Sequence, residues 1–199
     1  MHIRKEDITG LILAGGKARR MGGLNKGAQQ LNQQTLFEHV IRALSPQVNR
    51  IVVSANQYLD FYAKAGFPIY SDIREGFVGP LGGIETILKR RSDIQWLFCT
   101  PVDTPFIPSN LVATLCSEAQ KNKALAVFPR IGVQIYPLHC LIHASLLNSL
   151  VEYLDKGERS VQRWLNAHSV IVNLETSGNE FININTMEEL LELNKVKFS

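Results

Sequence analysis

Apolar segments alternate with amphipathic segments along the first half of the chain. The segment 8–14, ITGLILA, is apolar on both faces, which is typical of a central strand in a parallel sheet. The segment 35–45, TLFEHVIRALS, repeats its apolar residues at helical spacing and carries a capping box formed by Thr35 and Glu38. The same patterns predict strands at 50–55, 68–72 and 96–103 and helices at 58–65, 82–91 and 110–121. Such repeated βαβ units indicate an α/β fold, Rossmann-like, with three α/β/α layers and a mostly parallel central sheet.

The pattern in the second half is less regular. It predicts two strands that flank a loop at Ile131 and Gly132, and a last helix with a capping box formed by Thr186 and Glu189. No linker, repeat or low-complexity tract interrupts the chain, so we expect a single domain over 1–199. The remaining elements predicted here are strands at 124–129, 134–143, 170–175 and 181–184 and helices at 145–157 and 161–168.

Composition narrows the class of protein only a little. The net charge of +3 and the pI of about 8.8 suit an anionic small molecule as well as a polyanion. The basic run 89–91 ends a predicted helix, where cations are expected, so we predict no nucleic-acid partner. The three widely spaced cysteines, the absence of a signal-peptide pattern and the lack of about 18 continuous apolar residues predict a cytoplasmic protein with no membrane partner.

A glycine-rich, basic loop follows the first predicted strand. The segment 11–23, LILAGGKARRMGG, places Gly15 and Gly16 at the strand end and Arg20 just beyond, and Lys26 follows. The spacing matches neither the dinucleotide fingerprint nor the Walker A loop. Backbone amides and cations at the carboxyl end of a parallel strand favour a bound phosphate. The alternative is an ordinary turn with solvated cations.

Two aspartates end further strands at the same expected edge of the sheet. Asp103 ends the strand 96–103 and is well placed to hold Mg²⁺ with phosphate oxygens, while Asp72 ends the strand 68–72. Each has an alternative role as a turn or helix-capping residue. The segment 79–83, GPLGG, leads into a helix whose N-terminus favours an anion. Because three strands deliver such residues to one edge, we expect an anion site there.

The chain resembles the molybdenum cofactor guanylyltransferases, within the wider group of nucleotidyltransferases that share L-x-G-G-x-x-x-R-M-G followed by lysine. The resemblance covers nearly the whole chain and rests on segments that occur in the family's order: LILAGGKARRMGGLNKG, SAN, SD, GPLGG, CTPVDTPFIP, YPLHCL, GERSV and FININTMEEL. It implies a nucleotidyltransferase fold with a nucleotide-binding half over about 1–108 and an acceptor half over about 109–199.

The resemblance also implies a reaction. GMP passes from GTP to the phosphate of Mo-molybdopterin and pyrophosphate leaves, with Mg²⁺ as cofactor and without a general base. Other molybdenum cofactor biosynthesis proteins or molybdoenzymes are implied as partners. The alternatives are a sibling nucleotidyltransferase that uses CTP or UTP, and a non-catalytic GTP-binding regulator.

The residue roles implied by the resemblance fall into three groups. The catalytic residues are Lys26, Arg20 and Asp103, and Asp103 is also the metal ligand. The nucleotide-binding residues are Leu13, Ala14, Gly15, Gly16, Lys26, Asp72 and Asp103. The acceptor-binding residues are Gly82, His139, Arg159, Asn183 and Asn185.

Two positions depart from the pattern of the family. Asn25 precedes the loop lysine where the family often has Asp, and Ser54 stands where the family often has Asn. A hydroxyl at Ser54 can replace one amide contact but not two.

Overall fold

A computed structural model describes residues 2–15, 24–76, 78–175 and 180–195. Within these ranges the chain alternates strands with helices, as the hydrophobic pattern predicts. The strands, in chain order, are β1 (Ile8–Leu13), β2 (Gln30–Leu31), β3 (Gln34–Thr35), β4 (Arg50–Ser54), β5 (Ile69–Tyr70), β6 (Trp96–Pro101), β7 (Ala126–Ile131), β8 (Gln134–Ile135), β9 (Leu141–His143) and β10 (Ser169–Asn173).

The central sheet of the described chain has eight strands in the order β10-β7-β9-β6-β1-β4-β5, with β8 paired to β7. β1 is parallel to both β4 and β6, and β5 continues the parallel half beyond β4. β9 runs antiparallel between β6 and β7, and β10 is again parallel to β7. The predicted mostly parallel sheet is therefore confirmed, and β1 lies inside its parallel half, where both faces are covered.

Helices cover both faces of this sheet, which confirms the predicted three layers. The apolar residues of α1, α2 and α4 pack on one face, and those of α3, α5 and α6 pack on the other. None of the helices in the described ranges is long and apolar enough to cross a membrane. The helices are α1 (Leu36–Leu44), α2 (Leu59–Ala63), α3 (Pro80–Arg90), α4 (Leu111–Asn122), α5 (Leu147–Asp155), α6 (Val161–Asn166) and α7 (Met187–Lys195).

A smaller apolar cluster joins the C-terminal part of the chain to its beginning. We name it the C-terminal cluster: Leu31, Leu36, Ile184 and Leu190, all buried. It packs α7 against the hairpin β2–β3, and the Asn194 side chain hydrogen bonds to the backbone of Gln30 and Asn32. Ile184, just before α7, is thereby held beside the β2–β3 hairpin.

The hydrophobic pattern did not predict the β2–β3 hairpin. Its two central residues, Asn32 and Gln33, have φ angles of 49° and 66°, as a two-residue turn between twisted strands requires. The sequence there lacks the Asn-Gly or Asp-Gly pair by which such turns are commonly recognised.

Two strand predictions are wrong. The segment 181–184 forms no strand: Phe181 has a left-handed backbone (φ 63°), and the amides of Phe181 and Ile184 bond to Phe106 and Asp103 instead of a ladder. The predicted strand 134–143 is broken at 136–140 by a turn in which His139 N–H donates to Tyr136. Pro137 lacks an N–H for a ladder there, so pairing resumes only at β9.

Candidate active site

A cavity of about 540 Å³ lies at the carboxyl ends of β1, β4 and β6. This is the edge at which open α/β sheets bind ligands. Seven of the residues predicted from the sequence line it, which are Leu13, Ala14, Gly15, Lys26, Asp72, Asp103 and Asn183.

The end of β1 forms the floor of this cavity. Ala14 N–H donates to Ser54 O (2.8 Å) in β4, and Val102 N–H donates to Leu13 O (3.1 Å) from the chain after β6. A Cβ on Gly15 would lie 3.4 Å from Asn56 Nδ2, so the glycine lets that side chain approach the backbone. The strand ends are thus fixed to one another by backbone bonds. Gly16 and Arg20 lie outside the described residues.

Lys26 meets two predicted partners from distant parts of the chain. Its Nζ donates to Asp103 Oδ2 (2.7 Å) and to Asn185 Oδ1 (3.0 Å). The side chains of Lys26 and Asp103 are only 21% and 15% exposed, so the ion pair is partly shielded from water. Ile184 N–H donates to Asp103 O (2.9 Å), which holds the segment that carries Asn183 and Asn185 against the chain after β6. Lys26, Asp103 and Asn185 therefore form one hydrogen-bonded polar cluster at the cavity.

Asp72 and Asn56 form a second polar pair on the opposite side of the β1 end. Asn56 accepts from Asp72 N–H (2.8 Å) and donates to Asp72 Oδ2 (2.9 Å). Asp72 Oδ1 is buried and has no hydrogen-bond partner among the described residues. Burial raises the pKa of Asp72 above its usual range, against the lowering effect of the Asn56 and Ser54 hydrogen bonds. An unpaired acceptor beside the cavity suits a ligand that offers an N–H or O–H donor.

Arg74, which lines the cavity, is part of an ion-pair network that supports the cavity wall. Its guanidinium contacts Glu85 in α3 (2.6 Å) and Asp155 in α5 (2.7 Å), and Lys89 also contacts Glu85 (2.7 Å). The Glu85 side chain is 0% exposed. Burial acts to raise the pKa of Glu85, but the hydrogen bonds from Arg74 and Lys89 outweigh it and the pKa is lowered. The network joins α3 to α5 and fixes Arg74 at the wall.

The predicted acceptor residues are not all at the cavity. Asn183 lines it, Asn185 reaches it through Lys26, and Gly82 lies behind Asp72, whose Oδ2 would be 3.1 Å from a Cβ at that glycine. Arg159 does not line it, because its guanidinium donates to the backbone carbonyls of Leu154 and Glu158.

His139 also lies behind the cavity wall. It is 3% exposed, and Thr100 Oγ1 is 3.1 Å from its Nδ1. Burial lowers its pKa to about 3, so the imidazole is neutral at physiological pH. Its ring packs edge-on against Phe181 (4.8 Å), and Phe181 stacks on Tyr136 (4.7 Å). His139 therefore supports the start of the segment that carries Asn183.

The cavity lining includes Arg74, Tyr58 and Asn56, which were not candidate site residues from the sequence. In the sequence Arg74 looks like an ordinary solvent-exposed loop arginine. Its buried partner Glu85 is one of the polar positions of the α3 helical pattern, so nothing in the sequence indicates that the two residues pair. Tyr58 lines the cavity and has a left-handed backbone (φ 55°). No local sequence motif predicts that conformation. Asn56 is part of the SAN segment, and its position after β4 was the available signal.

The described residues hold no group of three or more His, Cys, Asp or Glu side chains that would form a metal site on its own. Mg²⁺ commonly takes one or two carboxylates together with phosphate oxygens and keeps water ligands. Asp103 engages Lys26 through Oδ2 and borders the cavity. This donor set fits an ion shared with a phosphate ligand.

Comparisons with known proteins show which family the chain is similar to. Residues 10–171 match the family described as MobA-like NTP transferase domain. The chain is 40% identical to the molybdenum cofactor guanylyltransferase of Haemophilus influenzae over 184 residues, which is 92% of this chain and 95% of that protein. It is 38% identical to the protein of the same name from Cupriavidus necator over 193 residues, with 94% and 96% covered.

A solved structure shows the same fold. The molybdopterin-guanine dinucleotide biosynthesis protein A of Archaeoglobus fulgidus superimposes with a TM-score of 0.79 at 22% identity, covering 94% of this chain and 97% of that one.

Proposed function

The chain belongs to the MobA-like NTP transferase family, and we propose that it transfers GMP from GTP to the phosphate of Mo-molybdopterin, with release of pyrophosphate. It is a nucleotidyltransferase, and the names of its curated relatives support the guanylyl donor and the molybdopterin acceptor. The structural observation that carries the proposal is the contact of Lys26 with Asp103 and Asn185 at the cavity beside the β1 end.

The proposed chemistry requires little acid–base catalysis. A phosphate monoester has a second pKa of about 6, so the acceptor oxygen is already anionic at neutral pH. That oxygen bonds to the α-phosphorus of GTP as the bond to the bridging oxygen breaks, and pyrophosphate carries away the electron pair.

The side chains would act by alignment and charge neutralisation. Lys26 would bind a phosphate oxygen and offset the charge that develops on the leaving group. Asp72 and Asn56 lie across the β1 end from Lys26 and would contact the nucleoside. Asn183 and Asn185 come from the acceptor half and would face the molybdopterin phosphate.

Magnesium is part of the proposal. Asp103 would hold Mg²⁺ together with phosphate oxygens, and the bound ion would supply Lewis-acid neutralisation of phosphate charge. The support is the position of the Asp103 carboxylate beside both Lys26 and the cavity.

The test is transfer of α-labelled nucleotide onto molybdopterin with GTP, ATP, CTP and UTP, with and without Mg²⁺. We compare the wild type with Asp103→Asn and, as the matched control, Glu118→Gln, which removes a carboxylate on α4 away from the cavity. Transfer from GTP that needs Mg²⁺ and is lost only in Asp103→Asn is the expected result. Preference for CTP or UTP would identify a sibling transferase, and GTP binding without transfer would identify a regulator.

A further inference from the structure

Lys26 lies in a short 3-10 turn (Lys26–Ala28) that needs support of its own, because it belongs to neither the central sheet nor a long helix. The residue before it, Asn25, caps this turn: its Oδ1 accepts from Gly27 N–H (3.1 Å). The direction in which Lys26 points therefore depends on where Asn25 is held.

Tyr62 reaches this turn from α2, the helix between β4 and β5 in the chain. Its hydroxyl donates to the same Asn25 Oδ1 at 2.7 Å. The ring is 1% exposed and packs edge-on against Phe37 (4.9 Å) and Phe61 (5.0 Å). The ring is thus fixed by the core, while the hydroxyl touches the loop.

Tyr62 also contacts the backbone of the turn directly. A Cβ placed on Gly27 would come within 2.6 Å of Tyr62 Oη and 3.1 Å of Val102 Cγ2. Val102 immediately precedes Asp103, so the turn that carries Lys26 is packed between the tyrosine and the strand end that carries its carboxylate partner. Burial raises the pKa of the Tyr62 hydroxyl, which keeps it protonated as a donor.

We propose that Tyr62 is a positioning residue for Lys26: its hydroxyl fixes Asn25, and thereby the turn, so that the lysine points at Asp103 and Asn185. This inference rests on the proposed function for its kinetic consequence, but not for its structural one. The hydroxyl does not touch substrate. It acts through the hydrogen bond to Asn25 and the contact with Gly27.

The decisive variant is Tyr62→Phe, which keeps the ring and its packing and removes only the hydroxyl. We expect kcat for transfer to fall about tenfold while the Kd for GTP stays within about twofold, because misalignment affects the transition state more than ground-state binding. The matched control is Tyr153→Phe, which removes from α5 a hydroxyl that donates to the Ser160 carbonyl just before α6, and it should keep wild-type kcat.

A readout independent of transfer measures the lysine itself. The rate at which an acylating reagent modifies each lysine is followed by mass spectrometry. We expect modification of Lys26 to rise about fivefold in Tyr62→Phe, because the loss of one hydrogen bond loosens its turn. The exposed Lys121 should be unchanged in the same sample, and Tyr153→Phe should leave both rates unchanged.

Two further variants separate positioning from a general structural role. In a Lys26→Ala background, Tyr62→Phe should cause no additional loss of activity, since its effect passes through the lysine. Asn25→Ala removes the acceptor from the other side of the bond and should raise Lys26 modification at least as much as Tyr62→Phe. The double variant should equal Asn25→Ala alone.

The outcomes are distinguishable. An inactive wild type whose Lys26 modification still rises in Tyr62→Phe would overturn the proposed function and support the positioning role. Unchanged modification of Lys26 in Tyr62→Phe overturns the positioning role whatever happens to kcat. An additional loss in the Lys26→Ala background also overturns it, because the defect would then act elsewhere.

Discussion

The two sides of the cavity are built in different ways. On one side Leu13, Ala14 and Gly15 end a strand whose register is set by backbone pairing with β4 and β6. On the other side Lys26, Asn183 and Asn185 lie outside the sheet, and individual contacts and the C-terminal cluster hold them in place.

We infer from this difference that the strand-end side mainly determines the stability of the fold and the loop side mainly determines the catalytic rate. The strand-end side shares its backbone bonds with the core, so loss of a stabilising contact there or in its supporting ion network should lower the free energy of unfolding. The loop side contributes few buried contacts, so a change there should lower the rate while the fold persists. The predictions below test that separation, from the largest expected effect to the smallest.

The largest effect is expected from Lys26→Ala. Loss of a cation that neutralises transition-state charge should lower kcat/KM about 1,000-fold, or about 4 kcal/mol. The free energy of unfolding should change by less than about 1 kcal/mol, because the ion pair with Asp103 is partly exposed. Steady-state kinetics and urea unfolding measure the two quantities, with the exposed Lys121→Ala as control. A large loss of stability would break the separation.

Arg74→Ala should show the opposite balance. It leaves Glu85, a fully buried carboxylate, with Lys89 as its remaining ion-pair partner, and should cost about 3 kcal/mol of unfolding free energy. Thermal and urea unfolding measure the loss. Arg163→Ala breaks an exposed ion pair with Glu158 and should have no measurable effect on stability. An Arg74→Ala protein as stable as the wild type would contradict the role given to the network.

Asn185→Ala tests the loop side with a smaller expected loss of catalytic rate than Lys26→Ala. Lys26 keeps Asp103 but loses its amide partner, so kcat should fall about tenfold with stability little changed. Asn173→Ala, which removes an exposed side-chain bond to Arg130, should leave kcat at the wild-type value. Equal rates for Asn185→Ala and wild type would show that Asp103 alone positions the lysine.

The smallest effect is expected from Asp72→Asn, and its sign is informative. Burial raises the pKa of Asp72 in the folded protein, so the ionised carboxylate opposes folding at neutral pH. The variant should be more stable than wild type at pH 7.5, by less than about 1 kcal/mol, and should bind GTP more weakly.

The pH dependence of this difference checks the cause. Asp72 destabilises the wild type only while its buried carboxylate is ionised. This destabilisation is absent below the unfolded-state pKa and becomes complete as the pH rises through the folded-state pKa. The advantage of Asp72→Asn should therefore shrink as the pH falls from 7.5 toward 4, in urea titrations at each pH. A difference that grows at low pH would rule out burial of the charge as the reason.

The sequence predicted the strand-end side well because its signals are local. A buried apolar run followed by a polar residue is enough to place Asp72 and Asp103, and the capping boxes at Thr35 and Thr186 are confirmed at the starts of α1 and α7. Each of these features depends on neighbours within a few positions, which periodicity and capping rules describe.

The loop side could not be predicted in the same way. The bond from Tyr62 to Asn25 spans 37 positions and leaves no trace in the hydrophobic pattern, because a phenylalanine would pack equally well. The left-handed backbone of Phe181 turns an apparent strand into an irregular segment. The resemblance to known families pointed to Asn183 and Asn185, but only the three-dimensional structure shows that Asn185 contacts Lys26.

The contact of Lys26 with Asn185 cannot form until late in synthesis, because Asn185 is added to the chain long after Lys26. The two residues are 159 positions apart, so at about 5–20 residues per second roughly 8 to 30 s pass between their additions to the chain. In the later half of that interval the strands β1, β4 and β6 have all been made, while the lysine still lacks its amide partner. We therefore expect nascent chains stalled before Asn185 to transfer GMP poorly even where they bind GTP, so that catalytic competence is acquired only after Asn185 has been added.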